Sequence, residues 1–416
     1  MNRRWIVLSL VFVAIMINYV DRGNLSVAAP SIMRDFRITP ASMGTLLSAF
    51  FWTYAVFQIP AGVLVDRLGI RWAYGAAFLV WSLASASIAL SRGPGDLIGL
   101  RMVLGLAESV APLASISFIR GNFSGEDQGL PTSIYIAGQN IGPALGALVC
   151  AALLERFGWR MMFAISGLGA LVWVPFWLFS VRSDQTRSVR QPATTSKNPV
   201  RARRVVWRPL LTDRTFWAMS LSILLSSYYW YFVLTWVPSY LILSRGYSTL
   251  GMGKVVSIAL FTMAIVNILA GAAADRLTAR VEVFRARLWF AEAGYIGTAA
   301  VLLLLIAGGR AWTLPILTFS MCATGIGNSS FWAIVQHVSP ENMIGRSVGY
   351  LNTVSVMAGA AAPIITGLIL GSHEHFAPAI LVAGLCPVLA AVCLLAAGPT
   401  RLSAVKSMWA AAICTD

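Results

Sequence analysis

Gly62-Val63-Leu64-Val65-Asp66-Arg67-Leu68-Gly69-Ile70-Arg71 is echoed half a chain later by Gly271-Ala272-Ala273-Ala274-Asp275-Arg276-Leu277-Thr278-Ala279-Arg280. Glycine, aspartate and two arginines recur at the same places in both stretches, each just beyond the second apolar segment of its half. One offset shared by all four positions marks an internal duplication in which both copies run in the same direction, as in two parallel halves related by an axis along a membrane normal.

Working outward from these turns, apolar segments fall at 5–28, 43–65, 72–90, 96–119, 131–154 and 160–180, then at 215–243, 251–274, 288–308, 312–335, 345–370 and 376–397. Roughly 20 apolar residues are needed for a helix to cross the hydrocarbon of a bilayer. The 416-residue chain is 58% hydrophobic and only 11% charged, with mean hydropathy +0.74; soluble domains carry about 25% charged residues. Lipid is the expected solvent. Backbone amides in lipid must be satisfied inside their own segment, so the segments are helices and not strands of an open sheet. The expected fold is an all-α membrane protein with twelve transmembrane helices in two pseudo-symmetric six-helix bundles, residues 1–180 and 215–400. A basic cytoplasmic linker at 181–214 joins them and a cytoplasmic tail fills 401–416. The linker is too polar to bury a core, and its charge suits the anionic inner face of a membrane.

The net charge of +15 does not point to nucleic acid, because the basic residues lie between apolar segments and form no domain with a binding face. They collect instead on alternate loops: Arg3, Arg4, Arg67, Arg71, Arg120 and the run through the linker on one side, far fewer on the other. That bias puts both termini in the cytoplasm and the chain in the cell's inner membrane. Arg3 and Arg4 before an apolar run resemble a signal peptide, but Asp21-Arg22 ahead of the supposed cleavage site and Pro30 after it favour an uncleaved first helix. The five cysteines are scattered without a CxxC pair. His337 lies at an inner helix end, and His373 and His375 lie in an outer loop with no further ligands. No metal site, cofactor, nucleophile–base pair or nucleotide loop is expected, which excludes an enzyme and ATP as the energy source.

A charge at bilayer depth is expensive and therefore functional by default. Asp21 and Arg22 fall in the first segment, Arg101 and Glu108 in the fourth. Neighbours on a helix point about 100° apart, so Asp21 and Arg22 face different partners, whereas Arg101 and Glu108, seven apart, share a stripe. A cation facing a cavity suits an anionic solute, and a carboxylate kept from water can carry a proton; together they read as anion–proton symport. Two alternatives stay open: a fixed Asp21–Arg101 ion pair, and a Glu108 that is a satisfied neutral carboxyl in helix packing.

The duplicated turn resembles the loop signature of the major facilitator superfamily. Gly62 there would allow close packing, while Asp66, Arg67 and Arg71, with Asp275, Arg276 and Arg280, would form inner-face charge networks that break as the halves rock. Tyr19-Val20-Asp21-Arg22-Gly23-Asn24, Arg101 with Glu108, and Leu234-Thr235-Trp236-Val237-Pro238-Ser239-Tyr240-Leu241 resemble its anion:cation symporter branch. Ser48-Ala49-Phe50-Phe51-Trp52-Thr53-Tyr54, Gln58-Ile59-Pro60, Gly138-Gln139 and Ser339-Pro340 extend the likeness over nearly the whole chain. The resemblance implies that Arg22 binds a substrate carboxylate, with Tyr19, Tyr54 and Gln139 hydrogen-bonding nearby. It implies that Asp21 and Glu108 carry the coupling protons, Arg101 being a charge partner, and that Trp332 and Asn352 line the cavity from the second half. Val356 departs from the pattern, since many sugar-acid members have asparagine there. The function expected is import of a small organic anion, such as a hexonate, hexuronate or glucarate, with protons as the coupled ion and a monomer as the working unit. Export or sodium coupling by the same fold is the alternative, and a non-transporting membrane sensor a more remote one.

Overall fold

The computed structural model describes residues 3–181, 214–278, 280–339, 344–371 and 375–397; nearly all of the expected linker and the whole tail at 401–416 lie outside the described residues. All regular structure among the described residues is helical. The helices of the first half are α1 (Arg3–Phe36), α2 (Pro40–Ser87), α3 (Pro94–Glu108), α4 (Val110–Asn122), α5 (Gly129–Ala170) and α6 (Trp173–Ser180). Those of the second are α7 (Arg214–Leu243), α8 (Thr249–Thr278), α9 (Val283–Ala307), α10 (Arg310–Val338), α11 (Ile344–Leu370) and α12 (Phe376–Ala397). Nine helical stretches among the described residues are long and apolar enough to cross a membrane.

Two of these stretches are too long for one crossing. Pro40–Leu90 has 51 residues and Gly129–Ser180 has 52, and a straight helix of that size would run about 77 Å at 1.5 Å per residue, against a hydrocarbon core of about 30 Å. Each is broken by a glycine in the left-handed φ region, Gly69 (φ 76°) and Gly158 (φ 78°), a conformation that other residues rarely adopt. The breaks share a local sequence: Asp66-Arg67-Leu68-Gly69-Ile70-Arg71 and Glu155-Arg156-Phe157-Gly158-Trp159-Arg160.

Two compact units emerge. The first comprises Met1–Pro199, Leu234–Ser257 and Pro363–Glu374; the second comprises Val200–Val233, Ile258–Ala362 and His375–Asp416. Within the first, α1 and α5 approach along Gly138, Gly142 and Gly146, one helical turn apart; a Cβ at Gly142 would lie 2.7 Å from both Met16 O and Tyr19 Cβ. Small residues at this spacing let membrane helices meet backbone to backbone. The indole N–H groups of Trp173 and Trp177 donate to the carbonyls of Leu10 (2.9 Å) and Arg71 (3.0 Å), tying α6 to α1 and α2. In the same unit Trp236 donates to Pro363 O at 3.1 Å, and the α8 amide of Leu250 donates to the Glu155 carboxylate of α5 at 2.6 Å. The second unit is built on an apolar cluster including Phe216, Ile223, Leu288, Tyr295, Phe331 and Leu394. Ile59, Phe179, Ile268, Trp312 and Phe319 are left exposed, as expected of side chains that face lipid rather than water.

Gly105 of α3 fits against α2 so closely that an added Cβ would collide with the Phe50 carbonyl and stand 2.5 Å from Thr53 Oγ1. Backbone cannot yield as a flexible side chain can, so Gly105→Val is expected to cost at least about 1–3 kcal/mol through overpacking. Fluorescence-detected size exclusion of the detergent-extracted protein should show a smaller monodisperse peak and a lower melting temperature; an unchanged profile would mean that α2 and α3 have slack.

Candidate functional site

Pro112 explains why the site carboxyl stands at a helix end. Its ring nitrogen has no hydrogen to donate to the carbonyl four residues earlier, that of Glu108, and α3 ends at Glu108 with α4 beginning at Val110. Glu108 is 0% exposed, and its Oε2 accepts from Arg22 Nε at 3.3 Å. Arg22 is 14% exposed at its side chain. Its guanidinium carbon lies 4.7 Å from the Tyr19 ring centroid, 4.5 Å from that of Tyr54 and 5.3 Å from that of Phe50. Tyr19 precedes it by almost one turn of α1, while Phe50 and Tyr54 stack one turn apart on α2, with centroids separated by 5.3 Å. An aromatic face attracts a guanidinium through its quadrupole, so three rings and one carboxylate hold Arg22 in place.

The pairing leaves capacity unused. Neither Nη2 of Arg22 nor Oε1 of Glu108 has a hydrogen-bond partner among the described residues, although both are buried. A planar guanidinium with a vacant Nη2 can donate to an incoming carboxylate. Gln139 lies on α5 and donates from Nε2 to the Tyr135 hydroxyl at 2.9 Å.

Asp21 faces the other way, as the 100° step requires. Its Oδ1 accepts from Asn24 Nδ2 at 3.0 Å and from Ser85 Oγ at 2.9 Å, while Arg101 Nη1 donates to the Asp21 main-chain carbonyl at 3.3 Å. Among the described residues Asp21 and Arg101 form no side-chain ion pair; the Arg101 guanidinium carbon instead stands 5.2 Å from the Phe50 ring centroid. The rest of this compartment is polar and under-satisfied: both amide atoms of Asn18, Oδ2 of Asp21 and Oδ1 of Asn24 are buried without partners among the described residues.

The pattern of the Major Facilitator Superfamily matches residues 11–363. The chain belongs to the Major Facilitator Superfamily. It is therefore an integral, multi-pass membrane transporter and not an enzyme. Among curated relatives of this superfamily member, a hexuronate transporter of Bacillus subtilis (strain 168) is 26% identical, over 91% of this chain and 90% of that protein. A D-galactonate transporter of Escherichia coli O6:H1 is 27% identical over 91% and 92%. A probable L-galactonate transporter of Escherichia coli K12 is 28% identical over 90% and 85%. A bacterial homologue of the human lysosomal transporter Spinster, solved in an inward-facing, unoccupied conformation, superposes with TM-score 0.80 at 16% identity. That superposition covers 99% of this chain and 98% of the other; at this identity it speaks for the fold alone.

The superfamily turn is placed as follows. Gly62 is half-buried on α2, while Asp66 and Arg67 are exposed, and Asp66 has no ion pair among the described residues. Arg71 stands with its guanidinium carbon 5.2 Å from the Trp72 ring centroid. At the repeat, Asp275 pairs with Arg287 of α9 rather than with the exposed Arg276 or Arg280. Trp332 is half-buried on α10 and Asn352 exposed on α11, both in the second unit. The structure thus groups Tyr19, Arg22, Tyr54 and Glu108, and places Asp21 with Arg101 behind them. The sequence reading gave no role to Phe50, Ser85 or Tyr135. Phe50 could have been found from its one-turn spacing to Tyr54; Ser85 and Tyr135 carry no signal that separates them from packing residues.

Proposed function

We propose that the chain imports a small sugar acid together with protons. Arg22 anchors the carboxylate, Tyr19, Tyr54 and Gln139 line its approach from the first half, and Trp332 and Asn352 serve from the second. Asp21 and Glu108 carry the protons, and Arg101 holds the Asp21 segment through its carbonyl. The observation that carries this reading is the buried Arg22–Glu108 pair. While Glu108 is ionised it neutralises Arg22 and competes with a substrate carboxylate. Once protonated, Glu108 loses that hold and Arg22 accepts the anion, so proton and anion favour each other's binding. Opposite-side release reverses both. The relatives that transport hexuronate and galactonate support the substrate class.

Topology supports the same reading. Dividing the two over-long stretches at Gly69 and Gly158 and adding the 29-residue α10 yields twelve crossings, six before the linker and six after, with both termini cytoplasmic in a cell's inner membrane. Alternating access is then a rocking of two bundles in which Gly62, Asp66, Arg67 and Arg71, with Asp275, Arg276 and Arg280, act at the inner face, and the working unit is a monomer.

The test is uptake of labelled hexuronates, hexonates, aldarates and non-sugar carboxylates by the purified chain in liposomes, with and without an inward proton gradient. Accumulation of one sugar-acid class, lost when a protonophore collapses the gradient, is expected. Uptake indifferent to the protonophore would sink the coupling, and no sugar-acid flux in either direction would sink the substrate class.

A further inference from the structure

α9 holds an acidic residue that the Arg22 site does not use. Glu292 is 8% exposed, and neither of its carboxyl oxygens has a hydrogen-bond partner among the described residues. It takes part in none of the ion pairs found there. On α9 it lies beside Leu288, Ala291 and Tyr295, which enter the apolar cluster of the second unit together with residues of α7, α10, α11 and α12. The chargeable groups on these elements are few. On α9 itself, Arg285 pairs with Glu282 and Arg287 with Asp275, and Tyr295 is buried in the apolar cluster. The basic residues of the other elements stand at helix ends: Arg214 at the exposed start of α7, Arg310 at the exposed start and His337 at the exposed end of α10, and Arg346 in the first turn of α11, whose side chain lies outside the described residues. The remaining titratable groups there are Tyr228, Tyr229, Tyr231 and Tyr240 of α7, Tyr350 of α11, against Phe216, and the thiols of Cys322, Cys386 and Cys393.

An anionic carboxylate buried in a membrane-spanning helix needs a cation or several donors, and without them its desolvation is uncompensated. The neutral acid removes that penalty. We propose that Glu292 is a proton-binding site of the second unit, occupied by a proton in this structure and separate from the Arg22–Glu108 constellation. The chain then carries a titratable carboxyl in each half, and the one in α9 binds its proton without any anion.

Dicyclohexylcarbodiimide, an apolar reagent that modifies protonated carboxyls within membranes, tests this on the intact protein in lipid vesicles, read by mass spectrometry of the peptide that contains Glu292. The adduct is expected to form, to be lost once the pH is raised far enough to ionise the carboxyl, and not to form with a water-soluble carbodiimide. In parallel, the melting temperature of the wild type is expected to fall relative to that of Glu292→Gln over the same range, because ionisation burdens only the wild type. Absence of the adduct at every pH overturns the proposal, as do melting curves of the two proteins that stay parallel throughout. The labelling needs no variant, so a Glu292→Gln protein that fails to fold leaves the result decisive.

Discussion

Arg22→Ala is expected to abolish accumulation of the anion and to weaken its binding by at least about 30-fold. Removing one member of a buried, hydrogen-bonded charge pair costs about 2–5 kcal/mol, and about 2 kcal/mol already corresponds to that factor. Here the loss is double: the substrate carboxylate loses its donor, and Glu108, 0% exposed, is left without the cation that compensates its charge. Arg22→Lys separates the two effects. A lysine restores a positive charge beside Glu108 but not the planar fork, so the protein should regain stability while anion affinity stays well below wild type. Binding measured by calorimetry beside melting temperature checks both. If Arg22→Ala binds sugar acids as tightly as wild type, the anchor is elsewhere.

Glu108→Gln is expected to act on coupling rather than binding. The amide keeps the shape and can still accept from Arg22, but it holds no charge to compete with an anion and takes up no proton. Wild-type affinity should therefore fall as pH rises, because ionised Glu108 recaptures Arg22, whereas Glu108→Gln should bind with one affinity across the range. In liposomes the variant should exchange internal for external anion at a rate near wild type yet fail to concentrate it against a gradient. By linkage, each proton bound with the anion adds about 1.4 kcal/mol of driving force per pH unit of gradient; loss of that coupling appears as about tenfold less accumulation per pH unit. A Glu108→Gln protein that still accumulates fully would move the coupling proton to Asp21.

Helices and their breaks were legible because lipid leaves the backbone one solution, and because Gly69 and Gly158 sit where a polar, arginine-flanked turn interrupts an apolar run. Arg22 and Glu108 were legible for the same reason, as charges where charges are expensive. Their pairing was not. Sequence spacing put Glu108 on a stripe with Arg101, but residue 22 meets residue 108 only through the tertiary packing of the first unit, which no local pattern encodes. Likewise Arg101 reaches the carbonyl of Asp21 rather than its carboxylate, a distinction of side-chain geometry. Glu292, an acid inside the apolar segment 288–308, meets the rule that singled out Asp21 and Glu108 but was not legible as a site, because Arg285 and Arg287 fall just before that segment and no repeated motif surrounds it.

The break at Gly158 places Glu155 where its carboxylate takes the amide of Leu250 at the start of α8, an exposed contact. A negative charge at an exposed helix N-terminus stabilises by only about 0.3–1 kcal/mol, close to thermal energy. The fastening between α5 and α8 is thus of the press-stud kind, firm enough to define a register and weak enough to part without a fuel of its own. At the kindred break by Gly69, Asp66 has no such mate among the described residues.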